Sequence, residues 1–167
     1  MAKEKFTYFW KSKSPFSNWY MAGFEVDGIR FNCSEQYMMY GKAKLFNDEE
    51  MATKILDAKQ PGKQKALGRQ VRNFRKERWD ENAKSIVYRA NEAKFMQNEN
   101  LLKYLLKTRG TTLVEASPVD RIWGIGLTED DPRAKNRIQW RGKNWLGEVL
   151  TQLREDLIAR GVEKELT

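Results

Sequence analysis

The chain has 167 residues, 40% of them hydrophobic and 32% charged, enough to build one domain around a real core. It contains no histidine and one cysteine, Cys33, which excludes histidine-based nucleophilic or general-base catalysis, histidine-ligated zinc and any internal disulfide. The formal net charge of +8 points to phosphate-bearing company, and no apolar run is long enough for a membrane helix.

The composition also carries 12% aromatic residues and six tryptophans, which argues for a packed chain over a disordered one. The opening MAKEKFTYFW lacks the apolar core of a signal peptide, and a single cysteine suits a reducing compartment. A cytoplasmic location is expected. No repeat, linker or low-complexity tract interrupts the chain, so one domain over residues 1–167 is expected.

In chain order, Phe6 to Trp10 reads as a short aromatic strand. FEVDGIRFN places Asp27-Gly28 between two β-like runs, a hairpin signal. Ser34 stands at an N-cap position before a helix running to Phe46. Further helices are expected over Asp48 to Ala58, Gly62 to Val71, Arg78 to Gln97 and Asn100 to Thr108. The long one should bury Ile86, Val87, Ala90, Ala93 and Phe95. Thr111 to Ser117 is β-like and can pair with the opening strands. Asp120 to Gly142 reads as loop, and Trp145 to Arg160 as a closing helix with Leu146, Val149, Leu150, Leu153 and Leu157 on one stripe. The class is α+β: mostly helical, with a small β-sheet.

Two stretches carry candidate chemistry. In SEQYMMYGKAKLF, Glu35 and Lys42 stand seven residues apart on one helix. Seven steps of roughly 100° return to nearly the same face, about two turns on. Glu35 can complement the helix dipole, or act as acid or base if apolar neighbours such as Met38 and Met39 raise its pKa. Lys42 can cover core residues with its stem, hold a phosphate, or attack a sugar aldehyde as a desolvated amine. In SPVDRIWGIG, Asp120 can cap its loop or pair with Arg121, or stabilise an oxocarbenium-like sugar. Trp123, beside Gly124, can be a core residue or an aromatic wall, and Trp79 in KERWD carries the same ambiguity. TEDDPRA, Thr128 to Ala134, holds three consecutive acids, read here as a solvated loop ahead of a divalent-metal site. The glycines do not follow a dinucleotide-binding pattern.

Taken together, PFSNW at Pro15 to Trp19, SEQYMMYGKA at Ser34 to Ala43, YRANEAKFMQN at Tyr88 to Asn98, LVEASPVDRIWGIGLTEDDPRA at Leu113 to Ala134 and WRGKNWLGEVL at Trp140 to Leu150 resemble the NADAR family over nearly the whole chain. The resemblance implies an α+β, mostly helical fold and N-glycoside cleavage with neither metal nor organic cofactor. One branch of the family hydrolyses phosphoribosylated intermediates of riboflavin synthesis. Another removes ADP-ribose from guanine in nucleic acid. By this resemblance Glu35, Lys42 and Asp120 fall on catalytic positions. Asn18, Tyr37, Trp79, Trp123, Gly124 and Asn144 fall around the substrate, with Gly147 nearby. The expected partner is an ADP-ribosylated nucleobase or nucleic acid, or a phosphoribosylated small molecule, and not a membrane. A module that binds ADP-ribose without turnover is the rival, which the intact Glu35 and Lys42 argue against.

Overall fold

A computed structural model describes residues 3–166. In chain order it runs β1 (Phe6–Phe9), β2 (Phe24–Val26), β3 (Ile29–Phe31), α1 (Ser34–Leu45), α2 (Glu49–Asp57), α3 (Pro61–Gly68), α4 (Lys76–Met96), α5 (Glu99–Leu106), β4 (Thr112–Glu115) and α6 (Trp145–Ala159), with short 3-10 turns after β4 and at the end. The class is α+β and mostly helical, as the sequence implies. The strands divide into two separate ladders. β1 pairs with β4 in parallel and β2 with β3 antiparallel. The chain forms two compact units, one from residues 18–98 and one from the two chain ends. Among the described residues, no helix is long and apolar enough to cross a membrane.

The 18–98 unit begins with the expected hairpin. Asp27 and Gly28 both take positive φ, 52° and 80°, as a two-residue primed turn requires. The turn sets Phe24 opposite Phe31, and their rings stack at 5.7 Å. With Val26 and Ala90 they form one buried cluster. α1 packs against α2, α3 and α4. Asp48 caps α2 by accepting from Met51 N–H at 3.1 Å and also holds the Arg72 guanidinium at 2.7 Å. Those hydrogen bonds from Arg72 keep the Asp48 carboxyl well below the usual carboxylate range. α3 starts at Pro61, whose missing N–H costs nothing at a first helical position.

Two sequence expectations shift here. The cap residue of α1 is Cys33, not Ser34, and no side chain caps it. The Ser34 hydroxyl instead donates to Asn91 Oδ1 at 3.4 Å. On α4, Val87, Ala90 and Phe95 are buried as expected, while Ile86 and Ala93 are only half-buried. Ala83, Asn91 and Lys94 take the remaining buried positions.

In the unit of the chain ends, α6 packs its leucine stripe on β4 and α5. Val114, Ile125, Leu127 and Ala134 form a buried cluster beside Phe6, Tyr8 and Trp140. Gly147 is required there, because a Cβ would lie 2.1 Å from Leu113 O. Arg154 is 2% exposed and binds the α5–β4 connection, donating to Thr108 O at 2.9 Å and Thr111 O at 2.6 Å.

Candidate active site

In the 18–98 unit, Glu35 is the second residue of α1 and only 5% exposed. Its N–H donates to Asn18 O at 2.9 Å. Asn18 is itself buried, and its Oδ1 accepts from Asn91 Nδ2 at 3.3 Å. Asn91 thus touches Asn18 and Ser34, and so steadies the turn that carries the carboxylate. Cys33, just before it, donates its thiol to Gln64 Oε1 at 3.1 Å. Burial pushes that thiol up to about 11, and the charge of Glu35 adds to the effect. This cysteine is therefore protonated near neutrality and not a nucleophile.

Lys42 lies two turns along the same helix and is half-buried. Its Nζ stands 4.6 Å from the centre of the Phe74 ring and 5.8 Å from that of Trp79. Burial lowers its pKa, the Glu35 carboxylate opposes this, and Arg69 adds to the lowering. The apolar wall raises the neutral fraction available for attack, and the acid on the same helix works against it. Tyr37 turns to the hairpin side of α1, with its ring 5.0 Å from Phe31. Lys44 and Lys54 are exposed, each beside a carboxylate of α2.

In the other unit, Asp120 organises the loop after β4. Its Oδ1 accepts from Ile122 N–H at 2.9 Å and Trp123 N–H at 2.8 Å. The half-buried Trp123 packs edge-on against Trp145 at 5.5 Å. Gly124 is demanded by the loop itself, since a Cβ there would meet Glu115 O at 2.9 Å and Asp120 O at 3.0 Å. Asn144 is buried with φ 54°, and its amide stitches the loop to β4 through Glu115 N and Leu113 O, each at 3.0 Å. In TEDDPRA, Asp131 is engaged by Arg133 at 2.7 Å and caps the following turn.

The structure thus brings Asn18, Glu35, Lys42 and Trp79 into one unit and Asp120, Trp123, Gly124 and Asn144 into the other. Sequence reasoning missed Phe74, Asn91 and Lys94. Lys94 is fully buried beside the rings of Tyr20 and Phe95, and burial pulls it down to about 7. A signal for two of them existed. Val87, Asn91 and Lys94 follow i, i+4, i+7 spacing on the buried stripe of α4, where polar residues require a reason.

A sequence model described as the NADAR domain matches residues 8–158. Protein irg-1 of Caenorhabditis elegans is 44% identical over 172 residues, covering 93% of this chain and 81% of its own. N-glycosidase R617 of Acanthamoeba polyphaga mimivirus is 44% identical over 146 residues, covering 84% and 86%. N-glycosidase YbiA of Escherichia coli is 31% identical over 142 residues, covering 85% and 80%. The NMR structure of E. coli YbiA superposes with a TM-score of 0.78 over 98% of this chain and 90% of that one, at 28% identity. The named relatives include N-glycosidases, which are hydrolases, and this chain is an enzyme of that kind. With the family model spanning nearly the whole sequence and these relatives covered over most of their length, the chain belongs to the NADAR domain family.

Proposed function

We propose that the chain hydrolyses the N-glycosidic bond between ribose C1 and guanine, releasing ADP-ribose from nucleic acid. The observation that carries the reading is Lys42, a desolvated amine beside Phe74 and Trp79 on the helix that begins with buried Glu35. The neutral amine attacks C1 as the C1–N bond breaks, and the Glu35 carboxylate takes a proton from the attacking nitrogen and passes it to the departing base. The sugar ring opens as the bound amine loses a proton and forms an imine with C1. Water then adds to the imine, the C–N bond to Lys42 breaks, and free ADP-ribose leaves with the amine restored. Asp120 is assigned a sugar hydroxyl or the attacking water, and Trp123 a stacking role, both by family resemblance alone. The net charge of +8 favours the polyanionic substrate over a phosphoribosylated small molecule.

The direct experiment incubates the protein with ADP-ribosylated guanine oligonucleotide and, separately, with phosphoribosylated riboflavin intermediates, and follows released sugar. Faster release from the oligonucleotide is expected, and release only from the riboflavin intermediates would overturn the substrate. Borohydride added during turnover should trap an adduct that peptide mapping places on Lys42. Lys42→Arg should lose both adduct and activity, because arginine keeps the charge but cannot deprotonate to attack. An active Lys42→Arg enzyme with nothing trapped would refute the covalent route.

A further inference from the structure

Phe74 has a second environment besides Lys42. It is 43% exposed and lines an open cavity of about 640 Å³ with Leu45, Phe46, Asn47, Asn73, Arg75 and Arg78. This volume falls within the range that a nucleotide-sized ligand occupies. The Phe46 ring supports Phe74 from below at 5.4 Å. The segment from Arg69 to Arg78 holds five basic residues and one acid, Glu77.

The arginines of this segment differ in their occupation. Arg72 is spent on Asp48, just as Arg89, Arg133, Arg137 and Arg154 elsewhere are each beside a carboxylate. The guanidinium groups of Arg75 and Arg78 are exposed and carry no carboxylate partner among the described residues, although Glu77 and Glu81 line a shallow neighbouring cavity with them. A fixed fork of donors that is not ion-paired to an acid suits phosphate oxygens. An exposed ring in the same cavity as such forks suits an unstacked base, a combination found in single-strand binding and absent from recognition of a free phosphate.

We infer that this cavity binds a single nucleic-acid strand, with Arg75 and Arg78 on successive phosphates and one base stacked on Phe74. Because the Phe74 ring also covers Lys42 at 4.6 Å, a strand held there lies beside the amine. That link to cleavage rests on the function proposed above, whereas strand binding does not.

The test measures binding of an unmodified, fluorescently labelled single-stranded oligonucleotide by anisotropy over a series of salt concentrations. Affinity should fall with salt, and an Arg75→Ala, Arg78→Ala double variant should reduce the log–log slope by about 1.4, or ~0.7 per lost phosphate contact. Phe74→Ala should weaken binding roughly fivefold or more, and Phe74→Trp should restore it. Both arginines are exposed, so the double variant should keep its melting temperature. The inference fails if the wild type does not bind the strand, or if the double variant keeps the wild-type slope. It also fails if polyphosphate or polyglutamate competes as well as oligonucleotide while Phe74→Ala binds normally. If the protein binds the strand through these residues yet turns over no ADP-ribosylated substrate, the function proposed above falls and this site stands.

Discussion

Glu35 combines two roles that residue type alone cannot separate. In the first turn of α1 it complements the helix dipole, a contribution of about 1 kcal/mol or less. At 5% exposure, with its backbone tied to Asn18, it is also a carboxylate held in place on the helix of Lys42. The two roles differ in what a neutral isostere does. Glu35→Gln should leave the melting temperature within a few degrees of wild type, yet reduce kcat roughly 10²–10⁴-fold, as for loss of a positioned acid. A well-folded Glu35→Gln enzyme with near-normal kcat would make this residue a cap and nothing more.

At the scale of elements, the same logic distinguishes packing from chemistry. α4 spends Asn91 and Lys94, two polar residues, on a buried stripe that an ordinary amphipathic helix would fill with leucine or isoleucine. α6 does so once, with Arg154, and the purpose there is structural. Its guanidinium satisfies Thr108 O and Thr111 O, carbonyls in the connection that leads α5 into β4. Arg154→Met keeps the stem and strips those bonds. Thr108 O still accepts from Thr111 N–H at 3.1 Å, so Thr111 O is the carbonyl left unpaired. That costs roughly 1–3 kcal/mol, and urea unfolding should show a lower midpoint. An unchanged midpoint would mean that water reaches Thr111 O.

Over the whole molecule, Lys94 links proton binding to stability. Its folded pKa of about 7 lies below its ordinary value of 10.5, because burial penalises the charged form. Between these values the unfolded chain carries a proton that the folded chain lacks, so stability rises with pH across this window. Below about pH 7 both states are protonated and the neutral form's contribution is gone. Lys42 is lowered too and acts in the same direction. Cys33 acts oppositely, since a thiol raised from 9.0 to about 11 favours the folded state only until the pH climbs through that interval. The clean interval is therefore about pH 7 to 9. Chemical denaturation there should show stability increasing, by at most about 1.4 kcal/mol per pH unit for one proton. Lys94→Met should flatten most of that slope, and a variant retaining the full wild-type slope would assign it to another group.

What the sequence determines by itself is local. Asp27-Gly28 encodes the hairpin because a primed turn needs positive φ twice. The helix expected from Gly62 begins one residue earlier, at Pro61, and the seven-residue spacing puts Glu35 and Lys42 on one side of α1. The tertiary structure alone decides what those residues meet. The expected pairing of Thr111–Ser117 with the opening strands takes the form of β4 on β1, more than a hundred positions away, and on neither hairpin strand, a choice that parallel pairing does not mark in a turn. Cys33 displaces Ser34 from the cap because Asn91, 57 residues on, engages the serine hydroxyl. Lys42 becomes a half-buried amine where the chain after α3 brings Phe74 and Trp79 beside it. A pKa is set by neighbours in space, and Phe74, Trp79 and Arg69 lie 27 to 37 residues from Lys42 along the chain, beyond the reach of helical periodicity.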